Sequence, residues 1–371
     1  MGVYEEMVSK KSNKVLAVIA LVLILAMILG TIASALTGCG AAEVNEQTVE
    51  ETQEQTAEEP QEQTSEVQEQ SEENGAEDVT VRIAALKGAT TIGLVNLMSE
   101  SEAAGSDSSY EFTMYTAGSD VMAAMVAGNV DIGLVPSNVA AVMNTKVEGG
   151  VSVIDINTLG VLNCVTADES ISSITDLSGK TVFMTGQGAT PEYTVRYLLG
   201  SEGVTDCDLQ FKSEPTEIVS IFAEDPSAVA IIPQPFVTAA LAQNESLGIA
   251  FSLDDEWEKA GADGRIVTGV TVVTNSFLKE HGDKVDAFIA AHKASADKAL
   301  ADVEGTAALV VAQGIIAKEP LAKKAIPACN IVCISGSEMK EMLSGYLTVL
   351  FEQEPKSVGG SLPGDEFYYV K

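Results

Sequence analysis

The chain has 371 residues, of which 46% are hydrophobic and 20% are charged. This composition excludes a wholly disordered protein and provides apolar surface for one large or two mid-sized cores. The formal net charge of -33 excludes non-specific attraction to nucleic acid, so we expect no nucleic-acid partner. The two histidines and five cysteines do not have the spacing of a structural zinc site, so we expect neither a metal nor a cofactor.

The N-terminal segment has the pattern of an export signal. Lysines up to Lys14 precede an uncharged run, Val15–Leu29, and small residues then lead to Leu36–Cys39. A basic region, an apolar region and a small-residue site are typical of a signal peptide, which we place at residues 1–38. An uncleaved transmembrane anchor is the alternative, because the uncharged stretch continues to Ala42 and a span needs roughly 20 apolar residues.

A short motif and an acidic segment follow the apolar run. The motif Leu-Thr-Gly-Cys resembles the lipobox of bacterial lipoproteins, which implies that Cys39 carries a lipid and anchors the mature protein to the outer face of the cell membrane. Residues 39–78 contain 14 acidic residues and no basic or aromatic residue, so they cannot bury enough apolar area to fold. We interpret them as a disordered tether; binding of cations or of a basic partner is the alternative.

Residues 79–371 alternate short β-rich runs with helical patterns, which is typical of an α/β fold with parallel strands. The strand candidates are Val79–Ala85, Glu111–Tyr115, Asp131–Val135, Thr181–Met184, Ala228–Ile232 and Gly269–Thr274. Helical patterns dominate the C-terminal part, at Asp283–Ala301, Thr306–Ala317 and Glu338–Phe351.

An internal repeat divides this region into two similar units. Gly88-Ala89-Thr90 recurs 100 positions later as Gly188-Ala189-Thr190, each time between a strand and a helix. Pro136 and Pro233 follow equivalent strands 97 positions apart. Two matches at nearly the same offset predict two Rossmann-like lobes with a ligand cleft between them.

The lobe boundaries are predicted from where β-rich stretches cross between the repeats. Lobe 1 comprises residues 79–162 and 272–371, and lobe 2 comprises residues 163–271. The crossing stretches are Ser152–Thr166 and Ile266–Thr274. Two crossing strands would form a hinge on which the lobes close.

Five segments of this region resemble the solute-binding proteins of ABC importers, in particular their NMT1/THI5-like and nitrate/sulfonate/taurine branches. The segments are RIAALKGATTIGLVNLM, MAAMVAGNVDIGLVP, DLSGKTVFMTGQGATPEYTVRYLL, AIIPQPFV and GGSLPGDEFYY, and they span almost all of residues 79–371. The resemblance implies a type II periplasmic-binding fold, a small-molecule solute in the cleft, an ABC permease in the membrane as partner, and an extracytoplasmic location. We expect a monomer.

The candidate ligand-binding residues lie in the turns after the strands, where helix N-termini present N–H groups. They are Thr90, Thr91, Ser119, Ser137, Asn138, Gln187, Gly188, Ala189, Thr190, Glu192 and Gln234. Thr190 is predicted to cap a helix with Pro191 in its first turn, so the N–H groups of residues 188–190 favour a negatively charged ligand group. The alternative is that these residues are only helix caps and turn formers.

The remaining side chains narrow the range of possible ligands only in part. The arginines of this region, Arg82, Arg196 and Arg265, lie outside the predicted cleft turns, so we expect no bidentate clamp for a carboxylate. Glu192 either pairs with an amino-bearing ligand, such as a pyrimidine, or interacts only with the helix dipole. For Trp257 we favour a packing role over stacking on a ligand ring.

Two other functional classes remain open. One is an enzyme on the same fold, because the resemblance extends to enzymes of thiamine-precursor and menaquinone biosynthesis. We expect no catalytic residue, since no Ser-His-Asp, Cys-His or paired-carboxylate arrangement occurs at a cleft turn and both His281 and His292 are predicted at solvated helix positions. The other is a ligand-sensing receptor domain, which the sequence does not separate from a transport component.

Four cysteines besides Cys39 are expected to be free thiols, and they are Cys164, Cys207, Cys329 and Cys333. A strand between Cys329 and Cys333 would hold them too far apart for a direct disulfide. A disulfide from Cys164 to Cys207, or one of longer range, is the alternative.

Overall fold

The structure is a computed structural model, in which residues 79–262 and 264–371 are described. The predicted signal peptide, Cys39 and the acidic tether lie outside the described residues. Among the helices of the described part, none is both long and apolar enough to cross a membrane.

The described residues form eleven β-strands and thirteen α-helices. The strands are β1 (Val81–Leu86), β2 (Tyr110–Tyr115), β3 (Ile132–Pro136), β4 (Val151–Leu159), β5 (Leu162–Thr166), β6 (Thr181–Met184), β7 (Asp208–Phe211), β8 (Val229–Pro233), β9 (Gly248–Ser252), β10 (Val267–Thr274) and β11 (Ile331–Ile334). The helices are α1 (Ala89–Ile92), α2 (Val95–Ala104), α3 (Gly118–Val126), α4 (Ser137–Met143), α5 (Thr190–Ser201), α6 (Pro215–Glu224), α7 (Phe236–Gln243), α8 (Leu253–Lys259), α9 (Asn275–Glu280), α10 (Gly282–Ala301), α11 (Val303–Ala312), α12 (Glu319–Ala325) and α13 (Gly336–Gln353). All six predicted strands are present.

The strands form two sheets with the same internal pattern. Their orders are β11-β4-β10-β3-β1-β2 and β7-β6-β8-β5-β9. In the first sheet β1 pairs in parallel with β2 and β3, and in the second β6 pairs in parallel with β7 and β8. An antiparallel strand follows on the equivalent side, β10 beside β3 and β5 beside β8. The predicted α/β fold with two Rossmann-like units is confirmed; we call the first sheet with its helices lobe 1 and the second lobe 2.

The chain crosses between the lobes twice, and both crossings differ from the predicted ones. The stretch Ser152–Thr166 is two strands, because β4 ends in lobe 1 and β5 begins in lobe 2, which leaves Gly160 and Val161 as the first crossing. The second crossing lies between α8 and β10. The whole of β10 pairs with β3 and β4, so residues 267–271, predicted in lobe 2, lie in the sheet of lobe 1.

The C-terminal helices pack mainly on lobe 1. Helices α10 and α11 contact α2, and α10 also contacts β11. The predicted helix Thr306–Ala317 ends early, at Ala312, because Gly314 follows with a left-handed φ of 65° that terminates the helical path. Helix α13 contacts both β4 of lobe 1 and α5 of lobe 2, so it braces the two lobes against each other.

Candidate functional site

Two helix N-termini, one from each lobe, meet at the predicted cleft. Helix α4 begins at Ser137 directly after β3, and α5 begins at Thr190 after the turn that follows β6. The Asn138 Oδ1 accepts hydrogen bonds from the Thr190 N–H (3.0 Å) and from the Thr190 hydroxyl (2.9 Å). Ser137, Asn138 and Thr190 are each at most 1% exposed. The lobes are therefore in direct contact here, and the Thr190 hydroxyl bonds across the cleft instead of capping its own helix.

Further hydrogen bonds surround this contact. The Asn138 Nδ2 donates to the carbonyls of Gly188 in lobe 2 (3.4 Å) and of Ser357 after α13 (3.2 Å). The Ser137 hydroxyl donates to the Val267 carbonyl (2.6 Å), where β10 begins. Asn138 thus joins three segments that are distant in sequence. No pattern in the sequence indicated that Ser357 would take part.

The N–H groups of the lobe 2 turn already have acceptors within the protein. Glu192 Oε2 accepts from the Gly188 N–H (2.7 Å), and Glu192 Oε1 accepts from the Arg196 Nε (2.7 Å). The Ala189 N–H donates to the Gly186 carbonyl (3.0 Å). A carboxylate at a helix N-terminus is stabilised by the helix dipole. Of the two roles considered for Glu192, the structure therefore places it against its own helix N-terminus.

Thr90 and Thr91 occupy the matching turn of lobe 1 but face inward. Their hydroxyls both donate to the Leu86 carbonyl, over 2.9 Å and 2.6 Å, and both residues are buried. These bonds close the turn between β1 and α1. The Thr90 methyl group packs over Gly269 of β10, where an added β-carbon would come within 2.5 Å of it.

The other predicted residues are divided between the surface and the interior. Ser119 and Gln187 are exposed. Gln234 is buried, and its Oε1 accepts from the N–H (3.2 Å) and the hydroxyl (2.8 Å) of Thr238. The Gln234 N–H donates to the carbonyl of Val161 at the first crossing (3.0 Å). The structure thus brings together Ser137, Asn138, Gly188 and Thr190, with Glu192 one turn away.

A cavity of about 430 Å³ lies between α5 and the end of α13. Its lining residues are Glu192, Tyr193, Arg196, Gln353, Glu354 and Lys356. The Gln353 Oε1 is buried and has no hydrogen-bond partner among the described residues. Residues 353–356 belong to no sequence motif, so they were not predicted; tertiary packing alone brings them to α5.

Trp257 lies in the core and not at a ligand-accessible surface. It is 2% exposed and packs between Tyr197 and Tyr346, with ring centroids 4.9 Å and 5.3 Å away. The hydroxyls of Tyr346 and Thr194 are 2.6 Å apart, and burial is the main cause that raises the pKa of Tyr346. This aromatic cluster supports the packing role for Trp257.

The first crossing lies against the start of α8. A β-carbon at Gly160 would collide with the Asp254 carboxylate, so the crossing requires glycine or a displaced Asp254. Burial raises the pKa of Asp254 to about 6; the charge of Arg265 acts in the opposite direction, and that of Asp255 in the same direction.

This raised pKa predicts a pH-dependent stability. The folded state holds the Asp254 proton more tightly than the unfolded chain, in which the pKa of an aspartate is 3.8. The contribution to stability is therefore complete below about pH 4 and is lost as pH rises through 6, by about 3 kcal/mol. Denaturant unfolding of the wild type and of Asp254→Asn at several pH values measures this, because other titrating groups cancel in the difference. A difference in unfolding free energy that does not change between pH 4 and pH 7 would contradict the assignment.

His292 of α10 and Asp155 of β4 form a buried pair in lobe 1. Both side chains are 0% exposed, and the His292 Nδ1 lies 3.0 Å from the Asp155 Oδ2. The Thr271 hydroxyl donates to the Asp155 Oδ1 (2.7 Å) and accepts from the Asn157 Nδ2 (3.2 Å). The predicted solvated position of His292 is wrong, because α10 turns this face onto the sheet.

The four cysteines of the described residues are free, as expected. Burial raises the pKa of every one of these thiols, that of Cys207 to about 11 and that of Cys329 to about 12. In the Cys333 thiol the nearby charge of Asp155 adds to the effect of burial. These thiols are therefore protonated at neutral pH in the absence of a cation.

Two α/β lobes that are joined by two crossings and meet at facing helix N-termini define the type II periplasmic-binding fold. The structure is similar to an ABC transporter protein from Parabacteroides distasonis, with 22% identity, a TM-score of 0.65, and coverage of 79% of this chain and 99% of that chain. It is also similar to the periplasmic aliphatic sulphonate binding protein SsuA from Escherichia coli, with 15% identity, a TM-score of 0.61, and coverage of 79% and 96%. The alkanesulfonate-binding protein SsuA from Xanthomonas axonopodis pv. citri, bound to MOPS, has 13% identity, a TM-score of 0.59, and coverage of 78% and 96%.

The family follows from the sequence match. The family model described as NMT1/THI5 like matches residues 109–305, which is more than half of the chain. The chain belongs to the NMT1/THI5-like family. No curated protein sequence matches it.

Proposed function

We propose that this chain is the solute-binding component of an ABC importer. It captures a small organic or anionic solute between its lobes outside the cell and delivers it to a membrane permease. The observation that carries the proposal is the meeting of the α4 and α5 N-termini, where the Thr190 N–H and hydroxyl of lobe 2 donate to the Asn138 Oδ1 of lobe 1, a lobe of like topology. The sulphonate binding proteins with the same fold support this assignment.

The local chemistry favours a solute that carries a negative group. The body of the protein, residues 79–371, has a net charge of -20, so its overall field does not attract an anion. The N–H of Gly188 holds the Glu192 carboxylate, and the N–H of Thr190 holds an amide oxygen. These donors therefore favour oxygen acceptors. A sulfonate or carboxylate of the solute would accept from the Gly188 N–H in place of Glu192, while the Thr190 hydroxyl keeps its bond to Asn138 in the closed form.

A thermal-shift screen tests the proposal. Aliphatic sulfonates, nitrate, pyrimidines and carboxylates are added to the full-length protein in excess. A true solute at 100 times its Kd stabilises the folded state by about 2.7 kcal/mol, which corresponds to a rise in Tm of roughly 4–5 °C for a body of this size. Calorimetry then gives the affinity. Failure of every small solute to bind, with the protein folded, would contradict a solute-binding role.

We also propose that a lipid on Cys39 anchors the protein and that residues 40–78 act as a tether. The basic and apolar leader and the motif at Leu36–Cys39 support the anchor, and the 14 acidic residues of the segment support the tether. Deleting residues 43–76 should leave the Tm and the solute affinity unchanged, because a solvated segment contributes no packing. Scanning calorimetry and titration calorimetry measure the two quantities. A large loss of either one would show that the acidic segment packs on the body or contacts the solute.

A further inference from the structure

We propose that Asp155, His292 and Cys333 form a binding site for a zinc-type divalent metal ion inside lobe 1. One ligand atom from each residue lies within 4.8 Å of the other two. The three residues come from β4, α10 and β11, which are far apart in sequence. An ion at this place would join both sheet strands to the helix that covers them. The inference is independent of the solute-binding role proposed above.

The spacing of the nitrogen and oxygen atoms suits a shared ion. The His292 Nδ1 and the Asp155 Oδ2 are 3.0 Å apart. Two ligands that each lie about 2.0–2.2 Å from zinc in a tetrahedral arrangement are separated by about 3.3–3.6 Å. The ion can therefore take the place of the proton between the two atoms with a small side-chain adjustment. The second oxygen of Asp155 would keep its hydrogen bond from Thr271.

The buried charge of Asp155 is a second argument for a metal ion at this site. Asp155 is 0% exposed, and among the described residues its ion-pair contact is His292, not a lysine or an arginine. A buried carboxylate requires a compensating positive charge. A divalent ion that binds one carboxylate, one thiolate and one neutral imidazole forms an electroneutral cluster. This mixed set of sulfur, nitrogen and oxygen ligands suits zinc and not calcium or magnesium, which prefer oxygen ligands.

The surroundings of His292 and Cys333 fit the same arrangement. The His292 Nε2 is buried, has no hydrogen-bond partner among the described residues, and lies beside Gly93. The only hydrogen-bonding nitrogen of the imidazole among the described residues is therefore Nδ1, which faces Asp155 and would bind an ion held between the two residues. Cys333 is half-buried in β11, an edge strand whose register against β4 is irregular between Ile331 and Ile334. On that side a water molecule can complete the four positions of the ion.

Cobalt binding to the full-length protein tests the site. The protein is refolded with Co²⁺, and thiolate-to-cobalt charge-transfer absorption and metal content are measured after removal of free ion. We expect about one ion per chain, displaced by Zn²⁺. Cys333→Ser should abolish the charge-transfer band and weaken cobalt binding by roughly 100-fold or more. The loss of a direct ligand should cost more affinity than the loss of a group that only hydrogen-bonds to a ligand. Cys329→Ser is the matched control, since Cys329 is buried four residues away and lies outside the cluster.

Thiol protection provides a test that needs no variant. Zinc should slow alkylation of Cys333 in the wild type about tenfold or more, and leave the rate at Cys207, which is half-buried in lobe 2, unchanged. The proposal is wrong if no ion binds stoichiometrically, or if Cys333→Ser binds cobalt as the wild type does. The latter result would place the ion on the acidic residues 43–78 or on surface carboxylates.

Discussion

Replacing Thr190 with valine should weaken solute binding about tenfold and leave the protein folded. Valine has nearly the same shape but lacks the hydroxyl that donates to the Asn138 Oδ1 across the lobes (2.9 Å). Loss of one such bond costs about 1–1.5 kcal/mol, which is about a factor of ten in affinity when only the closed form holds the solute. Calorimetric titration with the solute found by the thermal-shift screen measures the effect.

Two variants separate this effect from a general loss of stability. Thr190→Ser keeps the hydroxyl and should bind almost as the wild type does. Thr91→Val removes a hydroxyl that donates to the Leu86 carbonyl within lobe 1, so it should lower the free energy of unfolding by about 1 kcal/mol without changing affinity. If Thr190→Val bound the solute with wild-type affinity, the hydroxyl contact between the lobes would have no part in solute binding.

Replacing Asp155 with alanine should lower the free energy of unfolding by about 3–5 kcal/mol, the largest effect we expect of a single substitution. The change leaves the His292 Nδ1 and the Thr271 hydroxyl without their shared partner in a fully buried environment. Denaturant unfolding in the presence of a metal chelator measures this contribution without any bound ion.

The matched control is Asp297→Ala, which removes a carboxylate from the exposed face of α10. Asp297 is paired with Lys293, and both side chains are at least 60% exposed. Because solvent screens such pairs, the free energy of unfolding should hardly change. A loss in Asp155→Ala no greater than that in Asp297→Ala would mean that the buried pair contributes nothing to folding.

The repeated architecture was predictable because its signals are local. Gly88 and Gly188 both have a positive φ, 142° and 71°, at the turn where a strand ends and a helix begins. Pro136 and Pro233 end the equivalent strands β3 and β8. Glycine and proline restrict the backbone at their own positions, so their spacing carries the topology without knowledge of the tertiary contacts.

Neither the direction of the turn hydroxyls nor the position of His292 was predictable in this way. Thr91 and Thr190 both lie at the start of a helix, yet the first bonds to its own turn and the second to Asn138 of the other lobe. His292 looks like a solvated helix residue in sequence, because lysine follows it, but it is buried against Asp155. Each case depends on which surface packs against the helix.

The sequence by itself determined the α/β class, the two lobes and six of the eleven strands, because hydrophobic periodicity and turn residues act over short distances along the chain. Only the tertiary structure decided which polar side chains meet. Asn138 contacts Thr190 and Asp155 contacts His292, while the ligand atoms of Asp155 and Cys333 lie within 4.8 Å of each other, all across separations of 50 or more residues. Such pairs leave no spacing pattern, since their geometry is set by how whole sheets and helices pack.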